Sequence, residues 1–244
     1  MSVQQIEQNV AEIMDLFRSV ESDWEQLPLE SIVQKIDRNS SVFTSVAYEA
    51  VSKLLAQKGI ETNDLSEWKA FYDDYEDQYS SQLLIGLGWA IGISGYPSPS
   101  DFVIRFPKDK QQKIWDGIGY FYGLFRSRLT IRSRSLPEFA SENIPEGFDA
   151  GIGRALYYHA RGDFEKLTTL FSGFPEERKD ELSQGIGTAT VFVGGINDIE
   201  IKHLLQIISP FRDTFSKGVF NGIESRKNAG KTTPECQILE QELL

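Results

Sequence analysis

The chain holds two imidazoles, His159 and His203, and one thiol, Cys236. Acid–base chemistry near neutral pH draws first on histidine. Neither ring has a nucleophile close in sequence, and the chain carries no Gly-x-Ser-x-Gly elbow, zinc-spaced Cys/His set or Walker loop. Both histidines therefore read as structural by default. Binding chemistry is better supplied. Trp89, Tyr120, Arg154, Thr188 and Asn221 recur at nearly equal intervals, and four residues after each stand Ile93, Leu124, Tyr158, Phe192 and Ser225. Such a column offers rings to an apolar or polyene-like ligand and a guanidinium to a carboxylate or phosphate. Trp89, Tyr120, Arg154 and Tyr158, with His159 beside them, are the candidate ligand-binding residues.

What aligns these positions is a glycine motif: Gly86-Leu-Gly88, Gly117-Ile-Gly119, Gly151-Ile-Gly153, Gly185-Ile-Gly187 and the degenerate Gly218-Val-Phe220. The leading glycines lie 31, 34, 34 and 33 residues apart, about the length of one helical hairpin. Three residues before each stand Leu83, Ile114, Phe148, Leu182 and Phe215, and one after stand Leu87, Ile118, Ile152, Ile186 and Val219. This is a helical apolar stripe. Glycine inside a helix costs about 1 kcal/mol relative to alanine, so a recurring pair needs a gain, and close helix-to-helix approach supplies one. A dinucleotide loop would need a preceding strand and a third glycine, and neither is present.

The fold expected is all-α, an α-solenoid-like array of about five helical hairpins of roughly 33 residues. Helices are expected near 80–95, 110–127, 145–160, 175–195 and 210–226. Phe106-Pro107 and Phe174-Pro175 read as starts of two of them, and Asp163 and Asp198 as caps of shorter partner helices. Residues 1–80 form an N-terminal helical segment, 81–230 the glycine-motif repeats and 231–244 a C-terminal tail. Between 64 and 81, Trp68, Phe71, Tyr72, Tyr75 and Tyr79 recur at helical spacing and read as core. Asp73 and Asp77 stand one turn apart without a third ligand, so no metal site is expected, and no cofactor is implied.

A net charge of −11 argues against nucleic acid. Against that trend, Arg126, Arg128, Arg132 and Arg134 fall in one stretch free of carboxylates. They are either solvated partners for this chain's many acids or a dock for an acidic partner such as a carrier protein. No run of eighteen apolar residues exists, so no membrane span is expected. The first twenty residues, with Ile6, Val10, Ile13 and Phe17, read as an amphipathic helix rather than a signal peptide. One cysteine suits a reducing cytoplasm.

The runs Gly151-Ile-Gly-Arg-Ala-Leu-Tyr-Tyr158, Phe174-Pro-Glu-Glu-Arg178 and Leu182-Ser-Gln-Gly-Ile-Gly-Thr-Ala-Thr-Val-Phe-Val-Gly-Gly195 resemble an uncharacterised family found in enediyne and other natural-product gene clusters. Asp116-Gly-Ile-Gly119 and the tail Arg226-Lys-Asn-Ala-Gly230 with Thr232 and Cys236 extend the likeness over roughly residues 80–240. Where that family often carries histidine before the threonine, this chain has Lys231. The resemblance implies a setting in biosynthesis and no mechanism. Two functions follow as expectations. One is a non-catalytic binding or scaffold protein holding a hydrophobic intermediate or a carrier protein. The other is an enzyme whose site is assembled from several repeats around Arg154 and His159.

Overall fold

The computed structural model describes residues 2–96 and 98–243. Among them there is helix and no strand. In chain order the helices are α1 (Ser2–Trp24), α2 (Leu29–Asp37), α3 (Thr44–Thr62), α4 (Ser66–Ser94), α5 (Pro99–Val103) and α6 (Lys108–Phe125). They continue as α7 (Phe148–Ala160), α8 (Phe164–Ser172), α9 (Lys179–Val193), α10 (Asp198–Ile207), α11 (Arg212–Asn228) and α12 (Pro234–Leu243). All five expected glycine helices are present, as the second part of α4 and as α6, α7, α9 and α11.

The connections between them are less regular than hairpins. α8 and α10 are returning helices of 9 and 10 residues, α5 has 5, and α6 is joined to α7 through one π turn and one 3-10 turn. Asp163 caps α8 as expected, accepting from the Lys166 amide at 2.9 Å. α10 starts one residue earlier than Asp198 suggests. Asn197 caps it and Glu200 reaches back to the Asn197 amide, a reciprocal pair that satisfies more orphan donors than a lone aspartate. The two Phe-Pro prolines stand just outside their helices rather than in the first turn, Pro107 before α6 and Pro175 before a 3-10 turn that leads into α9.

Each leading glycine lies against a carbonyl of the helix before it. A methyl group on Gly117 would collide with the oxygen of Ile85, on Gly151 with that of Asp116, on Gly185 with that of Ala150 and on Gly218 with that of Gln184. Each partner is the residue just before that helix's own leading glycine. Gly86 meets the oxygen of Glu49 in the same way, which puts Ala50 of α3 in the leading place. Ser52 takes the second glycine's place and donates its hydroxyl to the Leu83 carbonyl at 2.6 Å. α3 thus meets α4 by the same contact, without glycine, and Ala47, Val51 and Leu55 form its buried stripe.

Tyr79 leaves helical geometry (φ −129°, ψ 16°) and divides α4. Its first part lies along α3, where the Trp68 indole donates to Ser52 at 2.8 Å and Tyr79 stacks on Tyr48 at 4.0 Å. Trp68, Phe71, Tyr72 and Tyr79 are buried there, as core. At the other end of the array α11 comes back to α4. Gln82 donates to Ser225 at 2.8 Å. Arg226, fully buried, donates to the carbonyls of Val191, Phe192, Val42 and Lys231. α1 lies across α3 and α9 with Ile6, Val10 and Ile13 buried, and Asn9 donates to the Val193 carbonyl at 2.8 Å. No described helix is long and apolar enough to cross a membrane.

Candidate functional site

The glycine contacts set each helix so that the residues three and seven after the glycine share one face. On α4, α6 and α7 that face turns toward α1. Trp89, Tyr120, Arg154 and Tyr158 all line one cavity of about 470 Å³, closed over by Ile13 and Phe17 of α1. Four of the five residues drawn from the sequence thus lie together. The walls are aromatic: Trp89 meets Tyr120 edge-on at 5.2 Å and Phe17 at 5.2 Å, and Tyr120 lies 5.6 Å from Tyr158. Lys53, which also lines the cavity, sits 4.9 Å over the Phe17 ring and pairs with Glu21, tying α3 to α1.

Arg154 is not a free anchor. Its guanidinium donates to Asp116 at 3.2 Å, lies 3.9 Å from Glu49 and covers the Tyr120 ring at 4.3 Å. Burial opposes its charge, but Asp116 and Glu49 hold it protonated. Both side chains of the Arg154–Asp116 pair are almost wholly shielded from solvent, so truncating Arg154 would strand a buried carboxylate and mix loss of folding with loss of binding.

Glu49, which the sequence reading missed, stands on the same wall. Among the described residues its carboxyl has no hydrogen-bond donor, and its nearest cation is Arg154 at 3.9 Å. Burial pushes it up to about 7; Arg154 pulls it down and Asp116 pushes it further up. Burial likewise raises the Tyr120 hydroxyl well above its ordinary range, and raises Tyr158 against the pull of Arg154. Three other lining residues carry a buried polar atom without a partner: Gln82 Oε1, Trp89 Nε1 and Arg154 Nε. Buried polar groups are normally satisfied, and these three lie around one cavity.

His159 stands apart from this group. Its Nε2 lies 3.1 Å from the Gly123 carbonyl, and its ring lines a neighbouring cavity with Glu7, Asp15 and Lys166. His203 packs against Phe164. Arg126, Arg128, Arg132 and Arg134 are exposed and, among the described residues, pair with no carboxylate within 4.0 Å. The Arg134 carbonyl accepts from Arg178 at 3.1 Å, and its guanidinium lies over Gly173. Phe125, just before this stretch, is 58% exposed and lines the cavity mouth. Asp73 and Asp77 are solvent-facing; among the described residues no group of three or more His, Cys, Asp or Glu is placed to hold a metal ion.

No curated protein and no solved structure matches the chain. The family model described as Protein of unknown function (DUF1702) matches residues 3–243, well beyond the stretch that carries the sequence resemblance, and the chain belongs to that family.

Proposed function

We propose that the chain binds an apolar small molecule with an oxygen-bearing end in the cavity beneath α1, as an accessory protein of natural-product biosynthesis. In this reading the glycine helices form a solenoid-like array whose variable column shapes the pocket. The observation that carries it is the convergence of Trp89, Tyr120, Arg154 and Tyr158 on one cavity with an aromatic wall and unpartnered polar atoms. Rings supply most of the affinity in such pockets and a few polar groups fix orientation. The resemblance to families of natural-product gene clusters supports the biosynthetic setting. Native mass spectrometry of the protein purified from its own host is expected to show one retained small-molecule mass. That mass should vanish in Ile93→Arg, which places a charge at the half-exposed rim of the cavity without touching the core. Host-purified protein that carries nothing would sink the reading.

The arginine stretch supports a partner of acidic character, such as a carrier protein delivering the ligand. Among the described residues its four guanidiniums are exposed without carboxylate partners, and it continues directly from Phe125 at the cavity mouth. Steering by exposed charge is screened over about 8–10 Å at physiological salt. Calorimetric titration with a cognate carrier is therefore expected to show affinity that falls with salt and with Arg128→Glu/Arg132→Glu. Binding indifferent to both would remove the partner. The enzymatic alternative, a site assembled around Arg154, is favoured by one observation, the buried Glu49 carboxyl.

A further inference from the structure

Glu49 is a buried carboxyl whose one ion pair, with Arg154, is loose at 3.9 Å. Its side chain is 5% exposed, it lines the cavity, and among the described residues it accepts no hydrogen bond. Around it the wall holds donors: the unpartnered Trp89 and Arg154 nitrogens and the Tyr158 hydroxyl, which accepts from Tyr120 and keeps its own proton. Donors facing an apolar space call for an oxygen acceptor on the ligand. A base facing the same space calls for a proton to remove. Protons on oxygen or nitrogen exchange with water unaided, whereas a proton on carbon is removed slowly unless a base is positioned and the resulting charge is stabilised.

We propose that Glu49 moves a proton on the carbon next to the carbonyl of an apolar ketone held in this cavity, with Tyr158 donating to the ketone oxygen and Tyr120 supporting that hydroxyl. The proposal rests on the cavity-binding reading above and gives it a substrate class. The Glu49 carboxylate takes the α-proton, the C–H electron pair becomes the carbon–carbon double bond of the enolate, and the carbonyl π pair moves onto oxygen. The carboxyl then returns a proton to the same carbon or, in an unsaturated ketone, to the γ-carbon. The second route shifts the double bond. Nothing is oxidised or reduced and no co-reactant is consumed. The charged and titratable groups sharing the site are Arg154, Asp116, Tyr120, Tyr158, Lys53, Glu21 and Arg18. Of these, Asp116 is engaged with Arg154, and Glu21 with Lys53.

The test uses 2-tetralone in deuterated buffer with the full chain. Binding is read by saturation-transfer NMR and α-deuteration by loss of the α-proton signal in the same samples. The wild-type chain is expected to bind the probe and exchange its α-protons about 100-fold faster than Glu49→Gln, the low end of positioned general-base catalysis. With Glu49 titrating near 7, the protein-dependent rate should rise about tenfold from about pH 6 to about pH 8 as the carboxylate forms. Tyr120→Phe should slow exchange while leaving the pH midpoint in place. Glutamine keeps the shape of Glu49, and Asp116 still pairs Arg154, so Glu49→Gln should stay folded, and its melting curve checks that. Probe bound, with exchange no faster than in Glu49→Gln, overturns the proton-transfer role and leaves the binding reading standing. No binding of the probe overturns the ketone class and the proton transfer with it, and the host-purified mass then decides the binding reading separately.

Discussion

Gly185→Leu is expected to destabilise the protein by about 3 kcal/mol or more, the upper end of what overpacking costs, although leucine is the better helix former. Gly185 lies at the crossing of α9 with α7, where an added β-carbon meets the Ala150 carbonyl oxygen and the Arg154 amide nitrogen, both backbone. Backbone atoms cannot rotate away, so the two helices must part. Helix propensity returns less than about 1 kcal/mol, and the steric term wins. Gly185→Ala should also lose stability, because the β-carbon alone makes the clash. Gly222→Ala should lose much less, since its neighbours are the side-chain carbons of Val191. Urea denaturation of the three variants gives the ranking. A midpoint that rises in Gly185→Leu would dismiss close approach as the reason for the glycines.

Arg178→Ala is expected to cost about 3–5 kcal/mol, the penalty for stranding one partner of a buried ion pair. Arg178 grips Asp149 with two hydrogen bonds, of 2.8 and 2.6 Å, and donates a third to the Arg134 carbonyl. Both side chains are under 5% exposed. The pair holds the start of α9 against the start of α7 and ties both to the segment after α6. Asp149→Leu/Arg178→Met replaces the pair with apolar volume and should recover much of the loss. Removing both charges spares the desolvation that one unpaired charge suffers. Thermal melts of the single and double variants test this, and a single variant as stable as the parent would show the pair to be idle.

The glycine columns made much of the architecture legible, because close approach can be served by few residues and its signature repeats. α3 escaped for the same reason. Ala50 and Ser52 do the work of two glycines there, and Ser52 converts the bare strip into a hydrogen bond to Leu83. The signal available was Ala47, Val51 and Leu55 at steps of four. The column three residues after the glycine found the cavity's floor on three helices, since helical geometry fixes which residues share a face. It could not find the roof. Phe17 and Ile13 belong to α1, about seventy residues before Trp89 in the chain, and no local spacing links the two. Glu49 was hidden among 36 acidic residues. Its signal was contextual: Glu49 and Lys53 are the only charges between Thr44 and Ala56, in a helix with apolar residues on all sides. Arg154 was legible as a cavity residue but not as half of an ion pair, because Asp116 lies on the preceding helix, α6.

An open array of repeats can fold outward from any unit and lose its last unit with little effect on the first. Here the hydrogen bonds from Gln82 to Ser225 and from Arg226 to Val42 join residues 143 and 184 positions apart, and Asn9 reaches Val193 across another 184. Bonds of that span carry the entropy of closing long loops, and they slow folding accordingly. During synthesis the N-terminal helices leave the ribosome long before their distant partners exist. α1 has no Val193 to hold it, and Gln82 no Ser225. The cavity then forms late: its roof and part of its floor wait for Val193 and Ser225 to be made.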